Sequence, residues 1–378
     1  MKIKIIDIEV LRCVSILAVL LQHAANLFPY KVPIIETIQH YLGGSFGVDL
    51  FLTISGFLVA QSLITKLENQ NTFSQKKRVI INFWIRRMWR LWPAAWASLC
   101  FVLICVVFFN DSNVFGTVSA NIDATIAGFF HFANLRFYNT FMQSEYGVSF
   151  VYWSLSLEEQ FYFIFPILLL TIPRKKLIYL IGFCITIQLL TIRYQNLLLI
   201  VFRTDAIMLG VLIAYIHKST IKINISEKIK KHKKLTYKII LFSAITLMSL
   251  LSAAALLTKY KYSWLAIISF LLVFIASLNL DKFTPESWLK EIILWFGNHS
   301  YSLYLTHIPV YYLTRELVFK LNKLGLVSID NTSIYAAIAI LLIPIAAHCS
   351  YRYIENPLRI LGRKIIYKNM RKDPHGYI

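Results

Sequence analysis

The chain has 378 residues, 57% of them hydrophobic and only 15% charged, with a formal net charge of +20. A soluble domain carries about a quarter charged residues, so these figures exclude a disordered chain, a disulfide scaffold and an ordinary soluble globule. They describe an all-α polytopic membrane protein, because a span needs roughly 20 mostly apolar residues and the sequence supplies about ten such stretches.

In chain order the predicted spans are 10–29, 46–65, 91–109, 153–172, 177–192, 197–217, 239–258, 263–280, 301–319 and 333–353. The apolar segment 122–132 is too short to cross and is expected at the interface. Lys and Arg in alternate loops set the orientation. One side holds 29 and the other 7, while Arg12, Arg203 and Arg315 sit inside spans. This predicts ten transmembrane helices with both termini cytoplasmic. It also predicts a membrane domain over 1–355 and a short basic cytoplasmic tail over 356–378. The basic charge is then mainly topogenic, and no nucleic-acid partner is expected. Cys13, Cys100, Cys105, Cys184 and Cys349 lie in apolar stretches without metal-ligand spacing. They read as small buried hydrophobes, and no metal is expected.

Ionisable groups inside a bilayer cost several kcal/mol unless they face a cavity or a partner, so they are the candidates for function. At 100° per residue, Arg12, Ser15, Gln22, His23 and Asn26 share an arc of about 100° on the first span. Val14, Leu17, Leu21 and Ala25 form the opposite face. Arg12 and His23 lie about 16 Å apart along the axis, at 1.5 Å per residue. The ninth span aligns Ser300, Tyr304, His307, Tyr311 and Thr314, and the last aligns His348, Tyr351, Arg352 and Glu355. The second span carries Asp49, Thr53, Gly56 and Ala60 on one small-residue face suited to close helix approach. These stripes predict a polar central cavity crossing the membrane. Helix glue, or the lining of a transporter, would produce similar stripes.

Arg203 and Asp205, two apart on an expected helix, point to different sides and each need a partner elsewhere. Arg86, Arg87 and Arg90 enter the third span from the cytoplasmic side, where guanidinium forks suit phosphate. Positive-inside anchoring would also place them there. Glu158 and Glu159 open the fourth span on the outer side. They suit either a helix N-terminus or a polar substrate.

These residues fall in motifs. They are Arg12-x10-His23, Phe46-Gly-Val-Asp-Leu-Phe-Leu-Thr-Ile-Ser-Gly-Phe57, and Arg87-x-x-Arg90 followed by Pro93. Further on come Trp153-Ser-Leu-Ser-Leu-Glu-Glu-Gln-Phe-Tyr162, Phe202-Arg-Thr-Asp-Ala-Ile-Met-Leu-Gly210, Ser300-Tyr-Ser-Leu-Tyr-Leu-Thr-His307 and Tyr353-Ile-Glu-Asn-Pro357. In this order the chain resembles bacterial membrane acyltransferases of acyltransferase family three. It departs from them at Cys13, where the family usually has Gly, and at Gln22, often apolar in relatives.

The resemblance implies a ten-helix domain of the bacterial inner membrane. Such a domain moves an acyl group, usually acetyl from acetyl-CoA, to a sugar hydroxyl of a lipid-linked envelope polysaccharide such as O-antigen. Some relatives carry a periplasmic hydrolase-like domain, which is not expected here. The chemistry needs a base, oxyanion stabilisation and a site for a polyanionic donor. Arg87 and Arg90, helped by Arg12, are expected to hold the phosphates of acetyl-CoA, with Glu355 supporting that end. His23 is expected as base or transient acyl carrier. Either Asp49 orients it or Glu158 binds the acceptor. His307 ranks behind these. The principal rival is a glycan-precursor transporter or flippase, followed by a membrane sensor whose polar seam is structural.

Overall fold

The structure, a computed structural model, describes residues 5–193, 196–253, 258–286 and 288–372. Among the described residues the regular structure is helical, with no strand. The chain divides into two units. One comprises 1–24, 33–62 and 172–300; the other comprises 25–32, 63–171 and 301–378.

The first unit begins with α1 (Ile6–Gln22), α2 (Pro33–Tyr41) and most of α3 (Phe46–Glu68). It continues through α8 (Arg174–Leu190), α9 (Leu197–Val201), α10 (Asp205–Ile216), α11 (Thr220–Lys231), α12 (Lys234–Ser252), α13 (Lys261–Ser277) and the start of α14 (Leu289–Lys323). Helix α13 packs on α1, α8, α10 and α12. Glycines bring backbones together as the small-residue face of α3 predicts. A Cβ on Gly56 would lie 2.1 Å from the Ile207 carbonyl oxygen, and one on Gly210 would lie 2.1 Å from that of Thr53.

The second unit holds α4 (Phe73–Phe108), α5 (Val118–Phe129), α6 (Ala133–Thr140), α7 (Tyr152–Thr171), the rest of α14, α15 (Thr332–Cys349) and α16 (Asn356–Lys372). Helix α4 starts at a capping box, in which Thr72 Oγ1 accepts from Gln75 N and Gln75 Oε1 accepts from Thr72 N. Its 36 residues extend about 54 Å, well beyond a hydrocarbon core of about 30 Å. The basic first half and the apolar second half thus meet different surroundings.

Among the described residues, five stretches are long and apolar enough to cross a membrane by length and composition. They are α3, α4, the run 197–216 through α9 and α10, α12, and 332–367 through α15 into α16. The remaining expected spans fall on α1, α7, α8, α13 and α14. Pro93, Pro166, Pro309 and Pro344 lie inside helices, as membrane helices tolerate. Part of the expected span 239–258 lies outside the described residues.

Four local expectations change. Helix α1 stops at Gln22 and turns into a 3-10 segment over Ala24–Leu27, so the helical-wheel position of Asn26 does not hold. The expected continuous helix 197–217 breaks at 202–204. Gln188 Oε1 accepts from Thr204 N (2.9 Å) and Asp205 N (3.1 Å), satisfying donors that begin α10. The last stripe is split by a π-turn over Ser350–Glu355, whose wider spacing buries Glu355 while His348 and Arg352 are exposed. The residues expected as a tail continue as α16, which packs on α4. A Cβ on Gly362 would lie 2.5 Å from Trp89 Cβ.

Candidate functional site

In the first unit, α1 presents the face its sequence predicts. Ser15 is buried and Leu17 is 45% exposed. Arg12 Nη1 donates to Glu9 Oε1 at 3.1 Å, one turn back on the same helix. His23 is the C-terminal cap residue of α1, and its backbone N–H bonds Val19 O at 3.2 Å. The carbonyls that a helix end leaves unpaired are served from outside. Gln39 Nε2 donates to Leu21 O (2.9 Å) and Gln22 O (3.2 Å). Gln22 Oε1 accepts from Gly44 N at 2.9 Å. The Gly44–Gly47 turn explains the start of the second motif. A Cβ on Gly44 would lie 1.9 Å from Ala18 O, and one on Gly47 2.4 Å from Ser15 O. Only glycine lets this strand of backbone lie directly on α1.

Asp49, in the first turn of α3, is fully buried and has Arg203 as its ion partner, with Arg203 Nη2 3.3 Å from Asp49 Oδ2. Asp205 pairs with Arg193, Nη2 to Oδ2 at 2.8 Å, and the same nitrogen donates to Ser263 Oγ at 3.1 Å. The Tyr262 ring lies 4.9 Å from Arg203 Cζ and 5.9 Å from Arg193 Cζ. Two acids and two guanidinium groups, all at most 3% exposed, thus gather at one phenol, which Lys261 Nζ also approaches at 5.2 Å. Arg193 and Tyr262 were not legible as site residues, because Arg193 reads in sequence as an ordinary loop cation.

In the second unit a row of groups lines α4 and α7. Arg87 and Arg90 stand three apart on α4, on one side of the helix. Arg87 Cζ lies 4.6 Å from the Tyr162 ring centroid and 5.6 Å from that of Phe83. Tyr162 OH donates to Glu158. Trp84 Nε1 donates to Tyr162 O at 3.0 Å. Trp92 Nε1 donates to Glu159 Oε2 at 3.1 Å, and Glu159 is 2% exposed. Tyr301 OH donates to Leu91 O at 2.7 Å, and Tyr301 lies within electrostatic reach of Glu158, Glu159 and Glu355. Ser302 Oγ donates to Glu355 Oε2 at 2.9 Å.

The sequence reading placed the arginines and Glu158 at opposite ends of their spans; the structure gathers Arg87 and Glu158 around Tyr162. The reason is local. Helix α4 starts at Phe73 rather than near 91, so Arg87 stands in mid-helix, and Glu158 lies almost two turns inside α7 (Tyr152–Thr171).

The stripe on α14 is buried as expected: Tyr304, His307, Tyr311 and Thr314 are each at most 8% exposed. Tyr304 OH donates to Val151 O at 2.7 Å. His307 Nδ1 lies 2.7 Å from Tyr304 O. A carbonyl only accepts, so Nδ1 carries the proton and a neutral His307 keeps Nε2 as an acceptor. Outside the spans, His131 lies against Trp92 with ring centroids 5.2 Å apart. Burial pushes its imidazole down to about 4, so it is neutral at physiological pH. Glu159, Trp92 and Tyr301 gain their importance only from this packing, although a tryptophan inside a span does signal the need for a buried acceptor.

The helical architecture, with several helices apolar enough to cross a bilayer, describes a multi-pass membrane protein. Residues 5–351 match the acyltransferase-domain family, acyltransferase 3, and the chain belongs to that family. It is similar to the peptidoglycan O-acetyltransferase OatA of Listeria monocytogenes, with 27% identity over 369 residues, covering 89% of this chain and 54% of that protein. It is also similar to the O-acetyltransferase OatA of Staphylococcus aureus, with 30% identity over 354 residues, covering 86% and 54%. The chain spans about half the length of the curated relatives it matches. No solved structure matches it.

Proposed function

We propose that the protein is a membrane O-acyltransferase that moves acetyl from cytoplasmic acetyl-CoA to a sugar hydroxyl of an envelope polysaccharide. The observation that carries this reading is the family match along 5–351. It spans the motifs holding Arg12, His23, Arg87, Arg90 and Glu158. The reading includes ten spans in the bacterial cytoplasmic membrane, both termini inside, and a polar central cavity. One relative's name assigns it peptidoglycan, so peptidoglycan stands beside lipid-linked polysaccharide such as O-antigen as the acceptor to test.

Arg87 and Arg90, with Arg12, suit the donor's phosphates by charge and fork geometry. Glu355, braced by Ser302, supports the donor end. In the transfer, the sugar oxygen bonds to the thioester carbonyl carbon and the C–S bond breaks. His23 takes the hydroxyl proton and returns it to the leaving thiolate, a general acid–base role that an imidazole can fill. Glu158 accepts hydroxyls of the sugar. Asp49, in its ion pair with Arg203, acts as a positioning residue at the start of α3.

The test compares membranes carrying wild-type protein and His23→Ala at equal protein level. Acetyl on the glycan is counted by mass spectrometry. His23→Ala should lose at least about a hundredfold of transfer, and Arg87→Ala with Arg90→Ala should weaken acetyl-CoA binding. If acetylation is untouched while glycan export fails, the protein is a transporter.

A further inference from the structure

The second unit contains a cavity of about 320 Å³ formed by residues 114–150 and Tyr312 of α14. This volume is at the lower end of small-ligand sites, about 300–1,000 Å³. Its walls include Phe137, Phe141, Phe150 and Tyr312 together with Glu145 and Tyr146. None of these residues belongs to the motifs above.

Glu145 is fixed in place. Its Oε1 accepts from Thr117 N and its Oε2 from Thr117 Oγ1, each at 2.9 Å. The turn beside it is built around that carboxylate. Gly116 has φ +75°, and a Cβ there would lie 1.7 Å from Glu145 Oε1. A carboxylate offers about four acceptor positions, so roughly two remain for a ligand's hydroxyls.

Charge decides which ligand fits. Aromatic walls beside a carboxylate could cage an organic cation. Here, however, guanidinium groups already serve the tyrosine rings. Arg136 Cζ lies 5.2 Å from the Tyr146 ring and Arg315 Cζ 5.6 Å from the Tyr312 ring. Arg136 is also tied to Ala120 O and Tyr146 O. A further cation would meet like charge on both sides. An acyl tail would cover the carboxylate's remaining acceptor positions without offering a donor, which is costly. A neutral ring with apolar C–H faces and hydroxyl edges satisfies both walls.

We propose that this cavity is a saccharide subsite that seats one pyranose of the acceptor glycan. The sugar's face lies on the aromatic wall, and its hydroxyls donate to Glu145. The proposal rests on the glycan O-acyltransferase reading and deepens it.

The test uses the full chain in detergent micelles with the trimer of N-acetylglucosamine as probe. Saccharide binding is read by saturation-transfer NMR and by titration calorimetry. Glu145→Ala and Phe141→Ala should each weaken binding at least about tenfold. Phe141 is 47% exposed, so its variant keeps the fold even if loss of Glu145 loosens the Thr117 turn. Gln143→Ala, outside the lining, serves as the control and should bind as wild type. In transfer assays the two cavity variants should raise KM for saccharide, leaving KM for acetyl-CoA unchanged.

Failure of wild type to bind the trimer, or equal binding by wild type and both cavity variants, overturns the subsite. Binding that the variants abolish, in a protein that transfers no acetyl, sustains the subsite and overturns the enzyme reading. Transfer by the wild type with unaltered saccharide KM in the variants does the reverse.

Discussion

Two clusters of buried acids differ in their partners. In the cluster around Tyr262, Asp49 and Asp205 each face a guanidinium. In the α4–α7 row, Glu158, Glu159 and Glu355 accept from a phenol, an indole and a hydroxyl. An acid paired with a buried cation chiefly specifies how helices meet. An acid that accepts from a phenol, an indole or a hydroxyl has hydrogen bonds that do not depend on a cation. The first arrangement is suited to architecture and the second to chemistry, which is why the α4–α7 row is the better candidate for contact with reactants.

The sharpest way to break this contrast is to remove one partner of an ion pair. Arg203→Met leaves Asp49 buried and uncompensated, and should cost about 3–5 kcal/mol. Thermal unfolding in detergent and the level of folded protein in membranes would register it. The double variant Asp49→Leu with Arg203→Met should recover most of that loss, since a buried pair exchanged for apolar residues of similar volume is often neutral. A single variant as stable as the double would show that the pair is not the architectural element argued here.

A middle-sized effect tests the packing that the ion pairs help to align. Gly210→Ala places a Cβ 2.1 Å from Thr53 O, a backbone atom that cannot step aside. Overpacking of this kind costs about 1–3 kcal/mol. Gly182→Ala on α8, with nothing within 4 Å of the added carbon, should instead be neutral or stabilise by up to about 1 kcal/mol through helix propensity. Melting temperatures of the two variants should therefore move in opposite directions. Movement together would mean that the α3–α10 approach is looser than these distances.

Much of the helical layout was legible because hydropathy and periodicity report burial directly. Ser15 against Leu17 on α1 and the buried row Tyr304, His307 and Tyr311 on α14 follow from spacing alone. That Arg203 and Asp205 must look elsewhere for partners also followed from spacing. Which partners they find did not, since Arg193 lies in a loop segment and only tertiary packing brings it to Asp205. The break at 202–204 carries no Gly or Pro to announce it, whereas Pro357, which cannot donate to the Tyr353 carbonyl, follows the π-turn over Ser350–Glu355. In both breaks the partner that stabilises the backbone or the buried acid comes from another helix, Gln188 in one and Ser302 in the other. The convergence of Arg87 and Glu158 on Tyr162 was hidden because α4 begins at Phe73, far ahead of the expected span 91–109, which puts Arg87 in mid-helix.

The smallest effect on stability sharpens the contrast most. Glu159→Gln keeps the side-chain volume, and its amide oxygen can accept the same hydrogen bond from Trp92 Nε1 that the carboxylate accepts at 3.1 Å. Among the described residues Arg87 is within electrostatic reach of Glu159 but forms no ion pair with it, so the cost should stay within about 1 kcal/mol. Acetyl transfer should nonetheless fall by at least about tenfold if the carboxyl group handles a proton or a sugar hydroxyl, because an amide cannot exchange the proton. The pair of readouts separates the two roles: a stable, inactive Glu159→Gln places the acid in the chemistry. An unstable one would put Glu159 in the same architectural class as Asp49, and the distinction between the two clusters would fail.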